Sequence, residues 1–299
     1  MSFSGDTKRE LCKIKNKRPS HSVAECYGIL LCAKQNDQTI ISIKFEQEES
    51  AKQYSQELAA MTGAMVDIKT HIRRKTDMPV GYTVSVPSDE QQQQVLSFFG
   101  HTEQIDKVNE QWLAEDGTPE AFLRGVFLAC GTITAPEKEY RLEMVCARAV
   151  LAGHLKKMLQ EWGISCKQTV RSGAHVIYLG DSAAIEDFLT LIGATRAALE
   201  VMSMKVYRDI RNIVNRQTNC ETANIEKTVS AAALQIKAIR RLEQTSGLSA
   251  LPDDLRQAAQ LRQVHPDLSL RELVQHSNFS LSGLDRRLKK LVELARAQK

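Results

Sequence analysis

The 299-residue chain lacks any apolar run of about 18 or more residues, the length a membrane-spanning helix needs. Its basic opening, MSFSGDTKRELCKIKNKR, runs into no apolar stretch or cleavage site, so no secretory leader is expected and the cytoplasm is the expected compartment. The seven cysteines (Cys12, Cys26, Cys32, Cys130, Cys146, Cys166, Cys220) include no C-x2-C pair, and the seven histidines lie apart from them. An exported disulfide framework favours an even cysteine count, and a zinc site requires clustered ligands. Reduced thiols, no metal and no cofactor are the expectation.

What is present is an ordinary globular composition, 42% hydrophobic and 25% charged, in a chain long enough for two or three cores. The net charge of +4 is unevenly placed. Residues 1–203 carry 23 Lys and Arg against 26 Asp and Glu, whereas residues 204–299 carry 17 against 10. The basic final third points to a polyanionic partner, although solubility alone produces such a bias too.

A repeat runs through the first two thirds. ECYGILLCAK (25–34) aligns with AFLRGVFLACG (121–131), setting Gly28 opposite Gly125. Each is followed by a β-like run (TIISIKF, YRLEMVC), an amphipathic helix ending in glycine (49–63, 147–163), a β-ribbon and a closing helix (88–100, 181–193). Five matching elements in one order predict a duplication, with copies at about 22–100 and 119–194 and a polar linker at 101–118. Glycine-bearing helices that lead both copies are expected to pack together, since only small residues let backbones approach so closely.

This layout resembles the LAGLIDADG homing endonucleases. LRGVFLACG (123–131) lies along their nine-letter motif, and CYGILLCAK (26–34) does so more weakly, with Lys34 at the final glycine. In that family the eighth position is a carboxylate holding divalent metal at the scissile phosphate. Here those positions are Ala33 and Cys130, and the sixth positions are Leu31 and Leu128. Asp37 and Glu137 fall at no matching position. The motif therefore reads as helix packing without catalysis. HIRRKTD (71–77) and KIKNKR (13–18) read either as basic faces for a polyanion or as solvated loops.

The final third reads as helical. MKVYRDIRNIVNRQTN (204–219) leads into a long helix over 219–247, capped by Asn219 or Thr222 and ended by Gly247. Ile225, Val229, Ala232, Ile236 and Ile239 form its expected apolar seam. After LPDDLRQAAQLRQVHP, a short helix SLRELVQHS (269–277), a turn near Asn278 and a second helix starting at Ser280 or Ser282 suggest a helix-turn-helix over about 269–299. Leu284, Leu288, Leu291, Val292 and Ala295 make one stripe of the last helix. Ser282, Arg286, Lys289 and Lys290 face away, with Asp285 and Arg287 at the flanks. Ser269, Arg271 and Ser280 complete the expected DNA-contacting set.

NRQTNCETANIEKTVSAAALQIKAI, FLRGVFLACGTITAPEKEYRLEM and SLRELV…SLSGLDRRLKKL together resemble the WhiA family over nearly the full length, most specifically in NCETAN (219–224). The resemblance implies an α+β fold: a pseudo-twofold, degenerate LAGLIDADG-like domain over 1–203 and an all-α helix-turn-helix domain over 204–299. It implies a non-enzymatic, nucleoid-associated regulator that binds double-stranded DNA, acting in cell division, chromosome segregation or sporulation, with transcription or division proteins as further partners. Asn219, Glu221, Asn224 and Lys227 become candidates for a family-specific contact or docking surface. The chain departs from the family at Leu281, where a lysine usually stands, and at Asp285, which would repel phosphate. An interaction module with minor DNA binding, or a metal-dependent nuclease, are the competing readings.

Overall fold

The computed structural model describes residues 2–33, 41–72, 79–102, 105 and 107–297. Two compact units divide the chain, Met1–Arg208 and Asp209–Lys299. The division falls after Arg208, inside a helix.

The first unit opens with α1 (Phe3–Leu11), capped by the Ser2 hydroxyl, and α2 (Pro19–Leu31), which carries proline at its first turn. The first repeat continues through β1 (Ser42–Phe45), α3 (Glu48–Thr62), β2 (Asp67–Ile72), β3 (Pro79–Ser85) and α4 (Asp89–Phe98). A short 3-10 helix, Glu110–Leu113, precedes the second repeat: α5 (Thr118–Cys130), β4 (Gly131–Ile133), β5 (Leu142–Cys146), α6 (Ala149–Glu161), β6 (Lys167–Arg171), β7 (Ala174–Leu179) and α7 (Ser182–Leu191). Both sheets are antiparallel, ordered β1-β3-β2 and β4-β5-β7-β6. The shared order of equivalent strands is the duplication expressed in space. The stretch of the first copy before β1, residues 34–40, lies outside the described residues, and with it Lys34 and Asp37.

Inward positions follow the period of two. On β5, Leu142, Met144 and Cys146 are fully buried, and Val145 between them is exposed. These side chains join the aromatic residues Tyr27, Phe99, Phe122, Phe127 and Phe188 in one core.

Residues 101–118 are more than the connector expected from their polarity. His101 is buried and shares a hydrogen bond of 3.1 Å with the Tyr27 hydroxyl, which accepts a second from the Asn109 N–H at 2.6 Å. Trp112 stacks on Phe98 and donates from Nε1 to the Phe99 carbonyl. A few well-placed aromatic and amide groups tie the segment to the core, which a reading of average polarity misses.

The final third contains a longer helix than expected. α8 runs unbroken from Thr195 to Thr245, so Asn219 and Thr222 are mid-helix residues and cap nothing. Its start is stabilised from outside: the Glu10 carboxylate accepts the backbone N–H groups of Arg196 (2.7 Å) and Ala197 (3.1 Å). The expected apolar seam is divided. Ala232 and Ile239 are buried, whereas Ile225 and Val229 are 63% and 58% exposed.

The second unit adds α9 (Asp253–Val264), α10 (Leu270–Gln275) and α11 (Leu281–Ala297). The last turns of α8 supply Ala238, Ile239 and Leu242 to a compact core with Leu255, Ala258, Leu273, Leu284, Leu288 and Leu291.

Candidate nucleic-acid interface

The central contact of the first unit is between α2 and α5. A Cβ atom on Gly28 would fall 2.3 Å from the Phe122 carbonyl oxygen, and one on Gly125 would fall 2.1 Å from that of Glu25. Both obstacles are backbone, so neither position admits a side chain unless the helices separate. The motif glycines are thus explained by close approach alone.

Arg124 and Glu25 bridge the same contact, with side chains 8% and 2% exposed. Arg124 also donates from Nη2 to Asn16 Oδ1, and Asn16 donates from Nδ2 to Glu25 Oε2 at 2.9 Å. At the far end of the helices, Ala33 is buried and Cys130 lies 3.4 Å, sulfur to sulfur, from Cys32. Methyl and thiol groups are not the hard oxygen ligands that magnesium requires, so the residues present do not fit the metal of the endonucleases. Leu31 and Leu128 are buried. Of the two basic stretches, Lys13, Lys15, Lys17 and Arg18 are exposed, while Arg73, Arg74 and Lys75 lie outside the described residues.

In the second unit, α10 begins with a reciprocal cap. The Ser269 hydroxyl accepts the Glu272 N–H, and the Glu272 carboxylate accepts the Ser269 N–H at 2.7 Å. These bonds hold the Glu272 carboxyl below its ordinary value. The Ser280 hydroxyl caps α11 by accepting the Gly283 N–H at 3.1 Å. Two serines expected to reach DNA therefore have structural work as caps, and Ser282 sits one residue into the helix.

Leu284, Leu288, Leu291 and Ala295 bury one side of α11. Ser282, Arg286, Lys289 and Lys290 are exposed on the other, and Arg271 is exposed on α10. Four charged residues of the expected set have local partners. Lys289 pairs with Asp285 at 2.7 Å, and Lys290 with Glu293 at 3.4 Å. Arg287 donates from Nε to Asp254 of α9 at 3.0 Å and stacks its guanidinium on Phe279, 4.7 Å from the ring centre. The Asp285 charge is thus met within the helix, and Arg287 is a brace between α9, the turn and α11. Arg286 has no hydrogen bond or ion pair among the described residues.

Sequence reasoning missed Arg262. It is buried on α9 and donates from Nη1 to the Leu268 carbonyl at 2.6 Å, fixing the chain between α9 and α10. In RQAAQLRQ it has the look of one more surface cation, and no local signal separates it from Arg256. Asn219, Glu221, Asn224 and Lys227 are exposed along α8. Glu221 accepts from Gln217, and Asn224 contacts the Cys220 sulfur.

A pseudo-twofold LAGLIDADG-type unit followed by a helix-turn-helix defines a narrow class of proteins. The WhiA LAGLIDADG-like domain family matches residues 119–211, and the WhiA C-terminal HTH domain family matches residues 214–295. A "Probable cell division protein WhiA" of Desulfitobacterium hafniense (strain Y51) is 35% identical over 305 residues, covering 99% of this chain and 96% of the relative. The chain belongs to the WhiA family. The crystal structure of full-length WhiA from Thermatoga maritima shares the fold, with a TM-score of 0.61 at 23% identity over 99% of both chains. The crystal structure of a WhiA N-terminal LAGLIDADG domain has a TM-score of 0.52 at 19% identity, covering 64% of this chain and 90% of that one.

Proposed function

We propose that this protein is a non-enzymatic, nucleoid-associated regulator of cell division that binds double-stranded DNA through α11. The observation that carries the reading is the division of α11 into two faces. One is seated on the core by three leucines, and the other presents Ser282, Arg286, Lys289 and Lys290 to solvent from a serine-capped N-terminus. A helix anchored in this way can enter the major groove, with its first turns reaching base edges and its cations reaching phosphates. The pairs of Lys289 and Lys290 with neighbouring carboxylates are exposed and weak, so phosphate competes for both amines. Family membership and the basic balance of residues 204–299 support the same reading. The test is a fluorescence titration of the full chain with duplex DNA. Replacing both Arg286 and Lys290 by alanine is expected to weaken binding and flatten its salt dependence; unchanged binding overturns the role of α11.

A second reading, docking of transcription or division proteins, is favoured by the exposed Ile225 and Val229 beside Asn219, Glu221, Asn224 and Lys227 on α8. A pull-down that loses its partners on replacing Asn219 and Asn224, with DNA affinity intact, supports it. For the non-enzymatic assignment, the replacement of both motif acids by Ala33 and Cys130 is the support. Supercoiled plasmid that remains intact with magnesium or manganese is the expected outcome.

A further inference from the structure

Three thiols from three elements meet where the two motif helices end. Cys32 closes α2, Cys130 closes α5 and Cys146 closes β5. The Cys32 and Cys130 sulfurs are 3.4 Å apart although the residues are 98 positions apart in the chain. Cys130 also lines a cavity of about 500 Å³, bounded by Lys8, Lys44, His71 and Tyr82, and is half-buried there. A small oxidant therefore has a route to a thiol that already touches a second one.

We propose that Cys32 and Cys130 form a reversible dithiol–disulfide site that links the two repeats covalently under oxidation by a peroxide. Cys130, on the cavity wall, reacts first. Its sulfur attacks one oxygen of hydrogen peroxide and becomes a sulfenic acid, and the displaced hydroxide leaves as water with the thiol proton. The Cys32 sulfur then attacks the sulfenic sulfur; hydroxide departs and takes the Cys32 proton as a second water. Two thiols are oxidised to one disulfide, and one peroxide is reduced to two waters. A dithiol reductant reverses the step by exchange, leaving both thiols free and itself oxidised to a disulfide.

Geometry and environment select Cys32 over Cys146 as the partner. Cys146 is fully buried and lies on β5, in the same repeat as Cys130, so a bond to it would not join the two copies. Cys32 is half-buried and makes its sulfur–sulfur contact from the opposite repeat. Formation of the bond requires the two sulfurs to approach from 3.4 Å to about 2.05 Å.

The experiment uses the full chain with Cys220, an exposed thiol outside the proposed pair, changed to serine. Protein treated with hydrogen peroxide is digested without reductant and its peptides mapped by mass spectrometry. A linked pair containing Cys32 and Cys130, lighter by two hydrogens and lost after dithiothreitol, is expected. Its formation should raise the thermal midpoint by several degrees, because the cross-link closes a long loop. Cys32→Ser and Cys130→Ser should each abolish that rise. A bond between Cys130 and Cys146, or free thiols at both positions after oxidation, overturns the proposal. The mapping is made without altering either thiol, so it stands even if one of these variants folds poorly.

Discussion

Arg124 donates from both Nε (3.0 Å) and Nη2 (2.8 Å) to a single oxygen of Glu25, Oε2, across the contact between α2 and α5. The pair is buried, and Asn16 serves both partners. Its stabilisation depends on both charges being present, since either alone is an uncompensated ion in a low-dielectric core. Arg124→Met is therefore expected to cost about 3 kcal/mol or more. Arg124→Met combined with Glu25→Leu should recover a large part of the loss. Urea denaturation of the three proteins checks this, and equal losses for single and double variants would contradict it.

The glycine contact makes a sharper demand on the same interface. Gly125→Ala places a methyl group against the Glu25 carbonyl, which cannot move without moving α2. A loss of about 2 kcal/mol or more is expected. Gly153, on α6, has nothing within 4 Å of its would-be Cβ and serves as the control. Gly153→Ala should be neutral or stabilising, by roughly 1 kcal/mol, through helix propensity. Thermal midpoints of the two variants decide the matter.

Arg286 and Arg287 are neighbours in sequence with different surroundings. Arg287→Ala removes a link to Asp254 and a stack on Phe279, and is expected to lower stability by about 1 kcal/mol. Arg286→Ala should leave stability unchanged while reducing the salt slope of duplex binding by about 1. The reverse assignment of these two effects, seen in parallel denaturation and titration, would refute the separation.

The cap of α10 gives a pH dependence of known sign. Hydrogen bonds from Ser269 hold the Glu272 carboxyl below its ordinary 4.5. A depressed acid contributes stability that is present above its unfolded value and lost as pH falls through the lower folded one. An NMR titration of Glu272 should give a midpoint under 4.5, moving upward in Ser269→Ala. A midpoint at or above 4.5 in the unsubstituted chain would show that the capping pair is not formed in solution.

The helices, the strand runs and their repetition were legible in the sequence because they rest on local period and on caps. The stripe of Leu284, Leu288 and Leu291 is buried where the period of 3.6 puts it, and the glycine of each motif lies where two helices meet. Other features needed the third dimension. Helical φ and ψ leave no mark on a sequence where one helix passes into another, so α8 read as two pieces with a cap at Asn219 or Thr222. Its actual start is capped by Glu10, far away in the chain. Segment 101–118 read as a linker because its polar residues outnumber the few that anchor it.

Sequence by itself determined the duplicated architecture, the absence of acids at both motif positions, and the basic character of the last third. Those are properties of residue type and order. Tertiary structure alone decided which of the charged residues on α11 are braces and which are free, that Arg262 is buried against the chain between α9 and α10, and that Cys32 and Cys130 touch. Such facts depend on distances between residues remote in sequence, and those distances are fixed by packing of the whole core and not by any local pattern.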